Sequence, residues 1–360
     1  MSKNNVKNNI IQFSNINSEP ASIKNQRINA YKQLDSFGHP SFGPEIKLDF
    51  EIGTYLENAP HHFHMCNDGF IACDIHTAFN KYKSLIEKYY GKLISTDENR
   101  YTVLNSTAFE SGYFIYVFEN QTLSFPIFNK NINCNLTRNI IIVDSNAELN
   151  FIDYCNNDSI FRCDCTEIFV EKNAVCKYLN ISKNNNMVVS IKRAQVNENA
   201  RMDWINIIEG ANIYMGYPTS ILMGSKSASS SSTFASSKKG NSINVGSKMI
   251  HEAPNTISKV SNISNIDSNS EIELRNLIYI KNNAVSSKSK VEYIYGINGS
   301  KAKYDSVPRY ILDNSKSNIN YTIRNNDKIS IDIIDLIESS FMKLSRKNKK
   351  ILRNLLKKGK

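Results

Sequence analysis

The sequence predicts a mainly β protein: a β-solenoid flanked by a helical region at each end. Three observations lead there. First, an Asn-Ala corner recurs ahead of strand-like segments: S-N-A-E-L-N-F from Ser145, K-N-A-V-C-K-Y from Lys172 and E-N-A-R-M-D-W from Glu198. Its alanines, Ala147, Ala174 and Ala200, lie 27 and 26 residues apart. An internal period in the twenties with strand-and-turn content marks a stacked solenoid. Second, each corner leads to an aromatic residue, Phe151, Tyr178 or Trp204. Alternation sets these on one strand face with residues such as Leu149 and Met202, which makes that face the coil's core. Third, apolar residues fall into helical spacing near both ends of the chain.

Composition limits the function classes. The chain has 360 residues, 41% hydrophobic and 22% charged, with 17 Phe and 18 Tyr, enough to bury a sizeable core. Mean hydropathy is −0.40, and no apolar run is long enough to span a bilayer. The first residues, M-S-K-N-N-V-K-N-N-I, lack the apolar core of a signal peptide. The net charge of +10 gathers largely in the tail from Lys343 to Lys360, and no aromatic-basic interleaving accompanies it. A nucleic-acid binder is therefore not expected. Seven cysteines, an odd number at irregular spacing with no C-x-x-C, point to a reducing compartment rather than a disulfide framework. Heavy use of Asn, Lys, Ile, Ser and Tyr is what an AT-rich genome would produce. It suggests a relict plastid or a reduced endosymbiont.

Residues 1 to about 30 are polar and Asn-rich and are expected to be loose, with a short helix over Gln26–Leu34. The run H-H-F-H-M-C holds His61, His62, His64 and Cys66. It reads as a metal site or as an exposed polar turn or strand. No second ligand pair follows at a fixed distance, which favours the latter. Asp74–Leu93 carries Phe79, Tyr82, Leu85, Ile86, Tyr89 and Tyr90 at helical spacing, with Gly91 as its C-cap. A second helix is expected over Tyr101–Phe109, then a buried strand over Tyr113–Phe118.

Strand-like segments follow, and an Asn-Ala pair returns at Asn283-Ala284. The serine run between Ile221-Leu222-Met223 and Met249-Ile250 would, alone, be a flexible linker. The repeat on both sides makes it part of the solenoid, a place where small residues let coils stack. From Ile329 to Leu355 helical spacing resumes. Its basic, amphipathic tail suits a membrane or partner surface, or simply a solvated helix packed on the solenoid.

Several blocks resemble the SufB/SufD family of iron–sulfur cluster assembly proteins, most closely SufB. They are L-N-S-T-A-F-E-S-G-Y-F-I-Y-V at Leu104, V-E-K-N-A-V-C-K-Y at Val170, S-I-K-R-A at Ser190, Met202 with Trp204, Y-P-T-S-I-L-M-G at Tyr217, and V-G-S-K-M-I-H at Val245 with Asn255, Thr256 and Ser258 behind it. The resemblance implies a right-handed parallel β-helix between helical regions. The boundaries expected are a loose polar stretch over 1–68, an α/β region over 69–117, the β-helix over 118–328 and a partner-binding helical region over 329–360. It also implies a scaffold subunit of a SufBCD-type complex, supporting the assembly and transfer of a nascent, transient Fe–S cluster. The alternative is a structural, SufD-like subunit that ligates no cluster. Partners would be a SufC-like ABC ATPase and a SufD-like subunit or a second copy of the chain. The ATPase contact would fall on Ile333, Ile334, Leu336, Ile337, Phe341 and Leu344. The compartment implied is a plastid or apicoplast stroma, or the cytoplasm of a reduced endosymbiont.

The chain departs from the family where chemistry is expected. The late-strand cysteine proposed as a cluster ligand falls at Tyr293, and a nearby acidic position at Asn320–Thr322. The sulfur-accepting cysteine falls at about Gln195–Val196. No cysteine occurs after Cys176. Thiolates are natural Fe–S ligands, so Cys155, Cys163, Cys165 and Cys176 remain as candidates. Cys163 and Cys165 share a strand face, which Glu167 would join, and His251 is a further candidate. Each is equally readable as a core or hydrogen-bonding residue. No nucleophile–base pair and no phosphate-binding loop is seen. The chain is thus not expected to be an enzyme, and ATP hydrolysis would come from the SufC-like partner.

Overall fold

The computed structural model describes residues 3–40, 43–44, 46, 52–56, 62–131, 134–155, 160–183 and 187–326, together with 337, 338, 341 and 349. The chain opens with helices α1 (Lys3–Ile16), α2 (Ala21–Gln33) and α3 (Ile52–Tyr55) and strands β1 (His64–Cys66) and β2 (Phe70–Asp74). Helices α4 (Ile75–Lys81), α5 (Lys83–Tyr89) and α6 (Arg100–Ala108) and strand β3 (Tyr113–Val117) complete this region. The first thirty residues, expected to be loose, are therefore largely helical. Val6, Ile10, Phe13, Ile23 and Ala30 are buried, and that tertiary burial outweighs the poor helix propensity of so many asparagines. The long helix expected from Asp74 to Leu93 is instead two, broken at Tyr82, which leaves the helical region at φ −121° and ψ 44°. Asp74 caps α4 by accepting from the Thr77 N–H at 2.9 Å. Gly91 takes φ +72° just past α5, as a C-cap glycine should.

The solenoid strands follow: β4 (Ile127–Asn131), β5 (Leu136–Val143), β6 (Glu148–Cys155), β7 (Phe161–Val170), β8 (Val175–Lys183), β9 (Met187–Val196), β10 (Arg201–Glu209), β11 (Ile213–Gly216), β12 (Thr219–Leu222), β13 (Ala228–Ser236), β14 (Ser242–His251), β15 (Ile257–Ile266), β16 (Glu271–Ile280), β17 (Lys288–Ile297), β18 (Lys303–Leu312) and β19 (Asn318–Asn325). They alternate between two sheets. One runs β1-β2-β3-β5-β7-β9-β11-β14-β16-β18, with β12 bridging β9 and β14; the other runs β19-β17-β15-β13-β10-β8-β6-β4. All solenoid pairings are parallel, giving a β-helix of about seven turns. The N-terminal helices cover the outer face of the first sheet over β5, β7 and β9.

The Asn-Ala corner has a clear cause. Asn146, Asn173 and Asn199 hold left-handed φ of 58°, 59° and 56°, which Asn tolerates better than most residues. Their amides stack, Asn146 donating to Asn120 and Asn173 to Asn146 at 2.9 Å each. The following alanine is buried and turns into the coil. At Asn283-Ala284 the turn persists, Ala284 N–H donating to the Lys281 carbonyl at 3.0 Å. There, however, the left-handed residue is Ser286, at φ 59°.

Inside the coil the aromatics form a column. Tyr113, Phe151, Tyr178 and Trp204 follow one another at ring separations of 5.1, 5.2 and 5.4 Å. The column ends at Ser231, which pairs with Trp204 in register. The serine run is thus a strand, β13, whose inward Ser229, Ser231 and Thr233 leave room beneath the indole. Its hydroxyls are satisfied. Trp204 donates to Ser220 at 2.9 Å, Ser220 meets Ser229 at 2.7 Å, and Ser247 donates to Ser231 at 2.7 Å.

Of the six residues expected at the ATPase contact, Ile337 and Phe341 are described. Both are buried on the outer face of the second sheet against Ile152, Tyr154, Leu179 and Ile181. Assigned by resemblance to the ATPase contact, these two side chains are occupied by the solenoid itself. Ile333, Ile334, Leu336 and Leu344 lie outside the described residues.

Candidate functional site

The candidate ligands occupy four different places. All ten residues of β7 are buried, and alternation sends Cys163, Cys165 and Glu167 outward against the N-terminal helices. There the two thiols pack with Tyr101, Leu104 and Phe109. A hydrogen bond with Cys165, and then burial, push the Cys163 thiol well above its ordinary range. Glu167 joins that face but is fully engaged. It accepts from the N–H groups of Gly91, Leu93 and Ile94 at 2.9, 2.7 and 3.0 Å, and from Arg138 at 3.0 Å. Its role here is to fasten the loop after α5 to the sheet.

Cys176 points into the coil between Leu149 and Met202, and burial pushes its thiol upward. Cys155 lies at the inner end of β6, within electrostatic reach of Arg162. His251 is in another part of the coil, with Nδ1 2.7 Å from Thr256 Oγ1 and Nε2 2.9 Å from Ser258 Oγ. Burial lowers its pKa to about 4, keeping the ring neutral at physiological pH. Only Cys163 and Cys165 come together. Among the described residues no three His, Cys, Asp or Glu side chains converge to hold a metal ion. As placed, the set does not fit an iron–sulfur cluster. His62 and His64 are equally dispersed, bonding to Asp74 at 3.2 Å and to Tyr82 at 2.7 Å, while His61 lies outside the described residues.

Tyr293, which the resemblance set at the family's late-cysteine position, is fully buried in β17. Its hydroxyl accepts from Asn276 at 3.0 Å and meets Tyr310 at 3.3 Å. Asn320 and Thr322 are exposed on β19. The residue in register with Tyr293 is Ile323, so Thr322 faces the opposite side of the strand.

The sequence reading missed a polar seam inside the coil. Asn129, Asp153, Asn180, Asn206, Thr233, Asn262 and Tyr293 occupy one register position on seven successive strands of the second sheet. Near its start lie ions. Lys192 Nζ meets Asp164 at 2.9 Å, and Arg162 meets the same carboxylate at 3.7 Å. Tyr178 donates to Asp153 at 2.6 Å, and its hydroxyl meets that of Tyr113 at 3.0 Å. Burial alone would raise the Asp164 pKa, but Lys192 and then Arg162 outweigh it and hold the carboxyl below its usual range. Farther along, neither side-chain polar atom of Asn262 has a hydrogen-bond partner, nor does Ser264 Oγ. Arg162 and Asp164 alternate with Phe161, Cys163 and Cys165 in the sequence of β7. With both faces of the strand buried, no polarity pattern says which one faces inward.

The family comparisons agree with this architecture. A family model described as SUF system FeS cluster assembly, SufBD core domain, matches residues 127–322. A second, for the SufBD protein N-terminal region, matches 49–128. An iron–sulfur cluster assembly SufBD family protein of Staphylococcus saprophyticus is 25% identical over 377 residues, covering 89% of this chain and 80% of the relative. One from Staphylococcus epidermidis is 28% identical over 273 residues, covering 73% of this chain and 58% of the relative. For one from Staphylococcus aureus the identity is 29% over 251 residues, 67% of this chain and 54% of the relative. With the core model spanning more than half of its length and coinciding with the solenoid, the chain belongs to the SufBD family.

Proposed function

We propose that this chain is a scaffold subunit of a SUF-type iron–sulfur assembly complex, and that it contributes shape and partner contacts rather than cluster ligands. The observation that carries the reading is the scatter of its thiols. Cys163 and Cys165 are sealed beneath the N-terminal helices, and Cys155 and Cys176 lie inside the coil; the resemblance, in addition, sets Tyr293 where the family has its late cysteine. This favours the structural, SufD-like role over one in which the chain itself ligates the nascent cluster. The blocks at Tyr217 and Val245, which resemble SufB, support a SufB-like place in the complex, so the two roles are separated by chemistry and not by fold.

The solenoid's final turn supports a second subunit. Strands β18 and β19 end their respective sheets, and Ile297, Leu312, Tyr321 and Ile323 are exposed there. An edge that no described residue covers, with apolar side chains on it, invites pairing with another chain, here a SufD-like or SufB-like subunit or a second copy. ATP hydrolysis would come from a SufC-like ATPase, docked on faces of the C-terminal region other than those bearing Ile337 and Phe341. Free cysteines suit a reducing compartment. The relatives cited are bacterial and give no support to a plastid, which favours the bacterial cytoplasm among the compartments considered. Among the described residues no helix is long and apolar enough to cross a membrane.

Co-purification with a SufC-like ATPase tests the complex. We expect a stable assembly, and no association with the C-terminal region intact would sink this reading.

A further inference from the structure

Near the solenoid's end two corners of successive turns approach closely. Asn298-Gly299, in the turn between β17 and β18, stands at that approach and is the sole Asn-Gly pair in the chain. The fold calls for both residues. The Asn298 N–H donates to the Ile266 carbonyl at 2.8 Å, and the Asn298 side-chain amide donates to Asn265 Oδ1 on the preceding turn. Gly299 lies against Ser268, and a Cβ there would overlap the Ser268 nitrogen. A glycine is therefore required. The two corners are tied once more by the Asn269 N–H, which donates to the Ser300 carbonyl at 3.1 Å.

The pair that the corner requires is chemically labile. A backbone nitrogen that follows Asn can attack the side-chain carbonyl carbon and close a five-membered imide. The attack is fastest when the next residue is Gly, because no Cβ crowds the nitrogen. In a folded chain it also needs a nitrogen that is not held in a hydrogen bond and a site that water reaches. Asn298 is exposed, and among the described residues the Gly299 N–H has no acceptor. The Asn-Ser pairs, next in intrinsic lability, are protected. Ser18, Ser242 and Ser270 donate their N–H groups to the carbonyls of Asn15, Asn212 and Asp267 at 3.1, 2.8 and 3.3 Å. Asn314 is anchored at both ends of its amide, by the Lys281 carbonyl at 2.9 Å and the Lys316 N–H at 3.2 Å. Asp68-Gly69, open to the analogous reaction, has its Gly69 N–H donated to Asn67 Oδ1 at 2.8 Å.

We infer that Asn298 is a site of spontaneous deamidation, a covalent change built into the solenoid's last turn. The Gly299 nitrogen loses its proton to hydroxide and attacks Asn298 Cγ. The N–Cγ bond forms and the Cγ–Nδ2 bond breaks, and ammonia leaves with a proton from solvent. Water then opens the imide at either carbonyl, giving aspartate or isoaspartate. Aspartate keeps the backbone, and a flip of the Asn265 amide offers the new carboxylate a donor. Isoaspartate adds a methylene to the backbone of a turn already packed against Ser268, which loosens β18, the last strand of the first sheet. The inference does not depend on the scaffold role proposed above.

The test is to hold the full-length protein at mildly alkaline and mildly acidic pH and map its peptides by mass spectrometry with electron-transfer fragmentation, which tells isoaspartate from aspartate. Conversion at Asn298 is expected about tenfold faster than at Asn241 or Asn269, since its nitrogen is both unhindered and unbonded. It should be faster at the higher pH, and hydrogen exchange across β18 should quicken in the isoaspartate fraction. Asn298→Gln, whose extra methylene makes ring closure slow, should abolish conversion, and Asn298→Asp should leave exchange in β18 unchanged. In denaturing urea, where the serine N–H groups are freed, the excess of Asn298 over Asn241 and Asn269 should shrink. No conversion at Asn298 while the free peptide Y-G-I-N-G-S-K converts fully would overturn the inference. So would an excess no larger in the folded protein than in urea.

Discussion

Glu19 is the most consequential ionised residue of the N-terminal region. Arg27 meets it at 2.6 Å and His76 Nδ1 at 3.1 Å, with all three side chains buried. Burial alone would raise its pKa, but Arg27 and His76 outweigh burial and lower it to about 2, from 4.5. A carboxyl depressed in the folded state stabilises the protein above its unfolded pKa and loses that contribution as pH falls through the folded one. Glu19 should therefore weaken the fold between about pH 4.5 and 2. His251 acts in the same direction in a higher window, because its folded pKa of about 4 lies below the ordinary 6.5. Its contribution, about 3 kcal/mol on the linkage scale, is present above pH 6.5 and fades toward pH 4. Urea unfolding against pH should show the upper step vanish in His251→Gln and the lower one in Glu19→Gln. The latter should also cost about 3–5 kcal/mol at pH 7, since Arg27 is left buried and unpaired. An unchanged pH profile in either variant contradicts the assignment. His251 was visible as a candidate in the sequence, and Thr256 and Ser258 as part of the same block, but the hydrogen bonds between them were not. These cross the corner after β14, which no local pattern encodes.

At the scale of the element, the serine strand shows what was legible and what was not. The Asn-Ala period placed β13 within a solenoid, and the structure agrees. What the period could not give was the reason for its serines, the indole of Trp204 above Ser231. Ser231→Leu should overpack the coil and cost about 1–3 kcal/mol, whereas Ser232→Val on the outer face should stay within about 0.5 kcal/mol. Equal effects in chemical denaturation would contradict the inward assignment. Strand β7 was harder to read. It is buried on both faces, so Cys163, Cys165 and Glu167 were correctly grouped while the inward Arg162 and Asp164 went unnoticed. The short helix expected over Gln26–Leu34 is the latter part of α2, but α1 and the start of α2 escaped for a different reason. Their propensity is poor, and they form because Ile10, Phe13 and Ile23 are buried against the rest of the N-terminal core. At the other end, Phe341 is 2% exposed on the second sheet. Phe341→Ala should cost about 3–5 kcal/mol through the cavity it leaves.

For the whole molecule, fold and family were legible because repeats and motif blocks are long-range signals spread over many residues. Chemistry was less so, because it depends on which of two faces each thiol takes. On the proposed scaffold role, association is expected at the solenoid's last turn. Tyr321→Lys with Ile323→Lys should leave the fold intact and reduce partner or self-association, as measured by light scattering on a sizing column. This chain is proposed to scaffold a cluster without ligating it. Anaerobic reconstitution with iron and sulfide, followed by Mössbauer spectroscopy, tests it most directly on two samples: the chain alone, and its complex with the SufC-like ATPase and the second subunit. No cluster is expected on the chain alone, and a signal is expected on the complex that survives replacement of Cys155, Cys163, Cys165 and Cys176 by Ser. A cluster on the isolated chain that disappears with those four substitutions would contradict it.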